Sequence, residues 1–284
     1  MSKVVAVVDG SAYSASVCEH AAWMANLSGS QVDVIHVLTR RDTSGEQSNL
    51  SGSIGLGARS ALLSELAELD AQQARLAQKR GRAILVDAEA LISERGVSEV
   101  QTRLRNGEIV DTVKELEEEA DLIVMGKRGE SANFDTLHLG SNLEKVMRSI
   151  HKPVLVASRA FKAPSKVLLA FDGGPSALKA VEFIAGRPEF NSLPIHLLSV
   201  SRDSTSDQRQ LESAVTTLKN GGYEATAESV DGNPETAIAD KVNSEGFDLV
   251  IMGAYGHSRI RNLIIGSTTT EMVRSCMVPI LLFR

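Results

Sequence analysis

Short, wholly apolar runs alternate with longer segments whose apolar residues recur every three or four positions, and this alternation persists from one end of the chain to the other. Apolar runs bounded by Gly, Asp or Pro predict strands, and the helical spacing predicts helices. In the first half, strands are expected at 4–8, 32–38, 100–104, 122–125 and 154–157, with helices at 15–27, 58–94, 109–119 and 142–149. The second half predicts strands at 167–171, 195–200, 225–230, 249–252 and 280–283. Its helices begin at Ser176 and cover 208–220, 234–243 and 268–275. Near-continuous apolar strands joined by helices make a parallel sheet covered on both faces. The polar stretch 40–57 is read as a loop.

The pattern occurs twice because the sequence does. SKVVAVVDGS at 2–11 returns as SKVLLAFDGG at 165–174, and DLIVMGKRG at 121–129 returns as DLVIMGAYG at 248–256. GSNLEKVMRSIHKPVLV at 140–156 returns as GSTTTEMVRSCMVPILL at 266–282. Start, middle and end recur in order, which marks a tandem duplication with domains at 1–160 and 161–284. The offset falls from 163 to 127 to 126, so the first copy has 36 more residues ahead of its glycine loop and one more within it. Each copy is expected to be an α/β domain, an open doubly wound five-stranded parallel sheet of strand order 3-2-1-4-5. That order sets the ends of strands one and four side by side, framing a crevice.

The candidate chemistry lies at those two strand ends. Strand one runs into Asp9 in the first copy and Asp172 in the second, while strand four runs into a glycine loop. In the second copy Gly253, Gly256 and Gly266 are followed by Ser267 and Thr268 at the start of a helix, with His257, Arg259 and Arg261 between the glycines. Glycine lets an anion approach the backbone, and a helix N-terminus adds positive potential, so the loop reads as a phosphate cradle. It is neither a Walker loop nor a GxGxxG dinucleotide turn. A tight turn alone would also use Asp-Gly, so a purely structural role for the two aspartates stays open.

A strand ending in Asp-Gly, followed after a βαβα passage by an apolar strand entering G-x2-G-x9-G-[S/T], resembles the universal stress protein family. The resemblance covers nearly the whole chain and is complete in the second copy. It implies an adenine nucleotide alpha-hydrolase-like fold and ATP as ligand, with Mg as a candidate accompanying ion. It places Asp172 by the nucleoside, Val200 near the adenine, and the glycines with Ser267 and Thr268 at the phosphates. Family members lacking the motif generally do not bind ATP. The first copy offers Asp9, Val37, Gly126, Gly129, Gly140 and Ser141, but ten residues separate its last two glycines and include Glu130 and Asp135. The extra residue is expected to displace the helix start, and Lys127 and Arg128 are candidates to offset the two acids. The last strand of each copy is an edge in the proposed order, and in this family such strands commonly associate, which implies an internal pseudo-dimer.

Composition narrows the partners. Thirty Lys and Arg against 36 Asp and Glu give a formal charge of -6, which argues against non-specific nucleic-acid binding. The N-terminal apolar run is too short for a signal segment and no stretch approaches a membrane span, so a cytoplasmic location is expected. Cys18 and Cys276 read as free thiols, the six histidines lack metal-ligand spacing, and the acidic run at 115–119 reads as a solvated helix end. No catalytic residues can be placed, so at most weak ATP hydrolysis is expected. The leading function is a nucleotide-dependent stress-response regulator, and the rival is a nucleotide-independent interaction scaffold. The helix at 58–94 is longer than one sheet needs and is a candidate surface for a protein partner or a second subunit.

Overall fold

The computed structural model describes residues 3–39, 56–129, 140–200, 205–254 and 266–284. The first half contains β1 (Lys3–Val7), α1 (Ser14–Ser28), β2 (Gln31–Leu38), α2 (Leu56–Glu94), β3 (Val100–Asn106), α3 (Ile109–Glu117), β4 (Leu122–Gly126), α4 (Ser141–Ser149) and β5 (Val154–Ala157). The second contains β6 (Val167–Ala170), α5 (Pro175–Ala185), β7 (Ile195–Val200), α6 (Thr205–Asn220), β8 (Ala225–Val230), α7 (Pro234–Glu245), β9 (Leu249–Gly253), α8 (Ser267–Ser275) and β10 (Ile280–Phe283). A 3-10 turn at Pro188–Phe190, which the sequence pattern did not signal, follows α5.

Both halves adopt the expected strand order, and their five-stranded sheets meet edge to edge. The result is one ten-stranded sheet, β3-β2-β1-β4-β5-β10-β9-β6-β7-β8. Pairing is parallel within each half and antiparallel at the β5–β10 seam, where Leu281 faces Leu155. The edges predicted to invite pairing therefore satisfy each other. Because the seam is antiparallel, the carboxyl ends of the strands lie on opposite rims of the sheet in the two halves.

Alternate residues of each strand serve two cores. Val4, Ala6 and Val8 face α1 and α2, while Val5 and Val7 face the side covered by α3 and α4. In the second half α5 and α6 extend the first core and α7 and α8 the second, so both cores run unbroken across the seam. The buried histidines are structural. His36 Nδ1 lies 2.8 Å from Val8 O, and His20 Nδ1 lies 2.7 Å from Ser16 O with its ring edge-on to Phe161. Both cysteines are free and buried, and burial pushes the Cys18 thiol up to about 12.

The duplicated Asp ahead of strand four has the same task in each half. Asp121 accepts from Lys3 N, and Asp248 accepts from Ser165 N, Ser165 Oγ and Lys166 N, each at 2.8 Å. Each clamps the start of its first strand to the start of the neighbouring one. Burial pushes the Asp248 carboxyl up, but these bonds and Lys162 outweigh it and hold the group below the usual range. Its stabilising contribution is therefore present above the ordinary carboxylate range near pH 4 and is lost as pH falls through the depressed value. Asp248→Ala should lose about 2 kcal/mol at neutral pH and flatten the acid limb of the stability profile, as measured by urea melts across pH.

The 39-residue α2 is divided by Gly81. A glycine inside a helix costs about 1 kcal/mol against alanine. Here a Cβ would stand 2.7 Å from Leu104 Cδ1 and 2.8 Å from His36 Cδ2, so the glycine lets α2 press onto β2 and β3. From Gly81 onward Leu85, Ala88 and Ile92 are buried in the core. Ahead of it, residues 63–80 are exposed or half-exposed. The long helix thus covers its own sheet with its second half only.

Candidate functional site: two glycine-loop crevices

Asp9 and Asp172 both close the turn that leaves strand one. Ser11 N donates to Asp9 Oδ1 at 3.0 Å, and Gly174 N donates to Asp172 Oδ1 at 2.9 Å. The glycines between them take positive φ, +77° at Gly10 and +69° at Gly173, which favours glycine. Ser14 Oγ accepts from Gly10 N at 2.9 Å, fixing the first turn to α1. The aspartates therefore fill the turn role, and Asp9 also faces the loop after strand four. A Cβ on Gly129 would stand 2.9 Å from Asp9 Oδ2, so the ends of β1 and β4 frame one crevice as the strand order required.

The loops after strand four are closed by matching backbone bonds. Gly140 N donates to Lys127 O and Gly266 N donates to Ala254 O, each at 3.2 Å. Gly140 (φ −58°, ψ 123°) and Gly266 (φ −57°, ψ 143°) begin α4 and α8 in nearly the same conformation. The displacement of the first helix start expected from the extra residue does not occur. The closing bond fixes both helix starts, and the extra residue falls between the two bonded residues of the first loop.

These helix starts present amides to the crevice. At α7, Asn233 Oδ1 accepts from Glu235 N at 2.8 Å and Thr236 N at 3.2 Å. At α4 and α8 the N-cap is glycine, which has no side chain to cap the helix, so among the described residues the positive end is open to another acceptor. Thr269 Oγ1 donates to Gly253 O at 3.1 Å and ties the start of α8 to the end of β9. Gly126 and Gly253 are required by packing: a Cβ would stand 2.8 Å from Tyr13 Cβ in the first half and 2.9 Å from Ser176 Cβ in the second. Gly140 is similarly tight, with Lys127 O 3.0 Å from the Cβ position. Among the described residues no group of three or more His, Cys, Asp or Glu is arranged to hold a metal ion.

A family model described as the universal stress protein family matches residues 1–158 and again 164–284. The chain belongs to the universal stress protein family. It is 37% identical over 287 residues to a universal stress protein of Synechocystis sp., covering 100% of both chains. In fold it is similar to a crystal structure of a universal stress protein from Archaeoglobus fulgidus. That match has a TM-score of 0.75 at 20% identity and covers 99% of this chain and 98% of the other. A functionally unknown protein from Pseudomonas aeruginosa is similar with a TM-score of 0.63 at 15% identity, over 99% and 92% of the two chains.

The remaining site residues can be placed within this universal stress protein frame. Val37, next to last in β2, and Val200, the last residue of β7, pack toward the core covered by α4 and α8, the face on which these glycine-started helices begin. Asp172 and Ser267 are exposed, and Gly253, Gly266 and Thr268 are half-buried, so the second crevice is open to solvent. Ser141 is exposed and Gly129 half-buried in the first. Gly256, His257, Arg259, Arg261, Glu130 and Asp135 lie outside the described residues.

Lys127 does not serve the role expected of it. It is buried and turned away from its own loop, with Nζ donating to Cys276 O at the carboxyl end of α8. The seam brings that helix end to the rim where β4 ends, and a cation there is favoured by the helix dipole. Burial pulls the Lys127 ammonium below its ordinary range. The reciprocal contact comes from Arg284, whose guanidinium donates to Arg148 O at 2.7 Å and Ile150 O at 3.3 Å, at the carboxyl end of α4. Each half thus sends a cation to the helix that starts the other half's crevice.

Two contacts at the crevices carried no sequence signal. Ile84 of α2 lies over Gly10, with Cδ1 2.7 Å from where a Cβ would stand, and Gln210 of α6 lies over Gly173. Both come from the helix after strand two, whose placement over the turn depends on tertiary packing.

Proposed function

We propose that the chain is a cytoplasmic, nucleotide-dependent stress-response regulator that binds ATP in its second half. Asp172 and Val200 would border the nucleoside, and Gly253, Gly256, Gly266, Ser267 and Thr268 would hold the phosphates. The observation that carries this reading is the start of α8 at its glycine N-cap, Gly266, tied to the end of β9 beside β6, the strand that leads into the exposed Asp172 turn, on a loop whose sequence keeps G-x2-G-x9-G-S. Amides at such a start are donors for a polyanion. Asp9, Val37, Gly126, Gly129, Gly140 and Ser141 would make a second cradle in the first half. It is the weaker one because Glu130 and Asp135 belong to its loop. Domain limits of 1–160 and 161–284 would give each domain one cradle.

Titration calorimetry of the full chain with ATP, AMP and cyclic AMP tests the proposal. One ATP per chain is the expected result, with a weaker second event at higher concentration. No heat and no thermal shift at millimolar ATP would leave the glycine loops as structural turns and overturn the reading.

A further inference from the structure

We propose that the protruding first half of α2 is a self-association arm that pairs antiparallel with the same segment of a second copy. The segment 63–80 rises about 27 Å ahead of the point where Gly81 meets the sheet. It is amphipathic without a core to cover. Leu63, Leu69 and Leu76 are 54%, 49% and 65% exposed, and Leu66 is half-exposed. Leu66, Leu69, Gln73 and Leu76 follow the alternating three- and four-residue spacing of a coiled-coil seam, which continues in sequence to Leu62. An isolated stripe of exposed leucines of this kind marks an interface in a folded protein.

Charge identifies the occupant. Glu65, Glu68 and Asp70 lie toward the tip, whereas Arg75, Lys79 and Arg80 lie toward the base, and all six are exposed. The arm is therefore acidic at one end and basic at the other. Parallel pairing would set like charges together, but antiparallel pairing sets each acidic end beside a basic one. The register that places Leu66 opposite Leu76 puts Leu69 opposite Gln73 and brings Glu65 beside Lys79 of the second copy on one seam flank, while the two exposed Asp70 side chains meet at the dyad on the other and set a limit on affinity. By symmetry this ion pair forms twice. Flanking pairs of this kind set partner choice and orientation in coiled coils.

Sedimentation equilibrium of the full chain over a concentration series tests the proposal. The wild-type chain is expected to dimerise, and Leu69→Asp with Leu76→Asp to be monomeric with an unchanged circular dichroism spectrum and melting temperature. Glu65→Lys or Lys79→Glu alone should weaken the dimer about tenfold, since two attractive pairs become repulsive. The double exchange Glu65→Lys with Lys79→Glu should restore it. A wild-type chain that stays monomeric at the highest concentration overturns the proposal. So does a dimer indifferent to the leucine changes, or a double exchange no tighter than either single one.

Discussion

Leu281→Asp is expected to lower stability by at least about 4 kcal/mol, enough to unfold the second half of a marginally stable protein. Leu281 is 5% exposed in the middle of β10, between Ile251 on β9 and Leu155 across the seam. A carboxylate there would enter the apolar core shared by both halves, and it would sit where the two sheets join. The milder Leu281→Ala should cost about 2–5 kcal/mol, as truncations in well-packed cores do. Because Leu155 faces Leu281, Leu155→Ala combined with Leu281→Ala should cost measurably less than the two separate losses added together. Denaturant melts of the four proteins provide the check. Full additivity, or a Leu281→Asp protein within 1 kcal/mol of the wild type, would mean that the seam does not carry the packing assigned to it.

The seam illustrates what the sequence discloses. Val154–Ala157 and Ile280–Phe283 are too apolar to remain bare edges, and the repeat assigns them the same place in each half. Strand order was legible because each element is short, strongly patterned and present twice. The direction of Lys127 was not. A residue just past a strand can turn toward the crevice or away from it, and the choice depends on where the other half places the end of α8. Nor does leucine spacing show where α2 leaves the sheet, since the periodicity runs through 62–76 whether or not a core lies beneath it. Gly81 is the only local mark, and its meaning depends on His36 and Leu104 lying opposite. The matching helix starts were hidden for a different reason: they are set by backbone bonds from Gly140 and Gly266, which loop length does not reveal.

Gly266→Asp separates stability from ligand binding because only binding should fall steeply. Gly266 has φ −57° and ψ 143°, a conformation open to any residue, and it is the N-cap of α8. Asp is among the preferred N-caps and its carboxylate favours the positive helix end, which offsets the close approach of a Cβ to the Ala254 carbonyl expected from the matching Gly140, so stability should change by no more than about 1 kcal/mol. That same carboxylate would occupy the anion position with the protein's own charge. On the proposed nucleotide reading, ATP affinity should fall at least about 100-fold, which is close to 2.7 kcal/mol. Gly253→Val is the contrasting variant. Its Cβ would meet Ser176 Cβ at 2.9 Å and Ala177 N at 3.4 Å, so it should lose about 1–3 kcal/mol of stability through overpacking. Calorimetry with ATP and urea melts on both variants make the comparison. A Gly266→Asp protein that binds ATP as the wild type does would remove the α8 start from the phosphate site, whatever its stability.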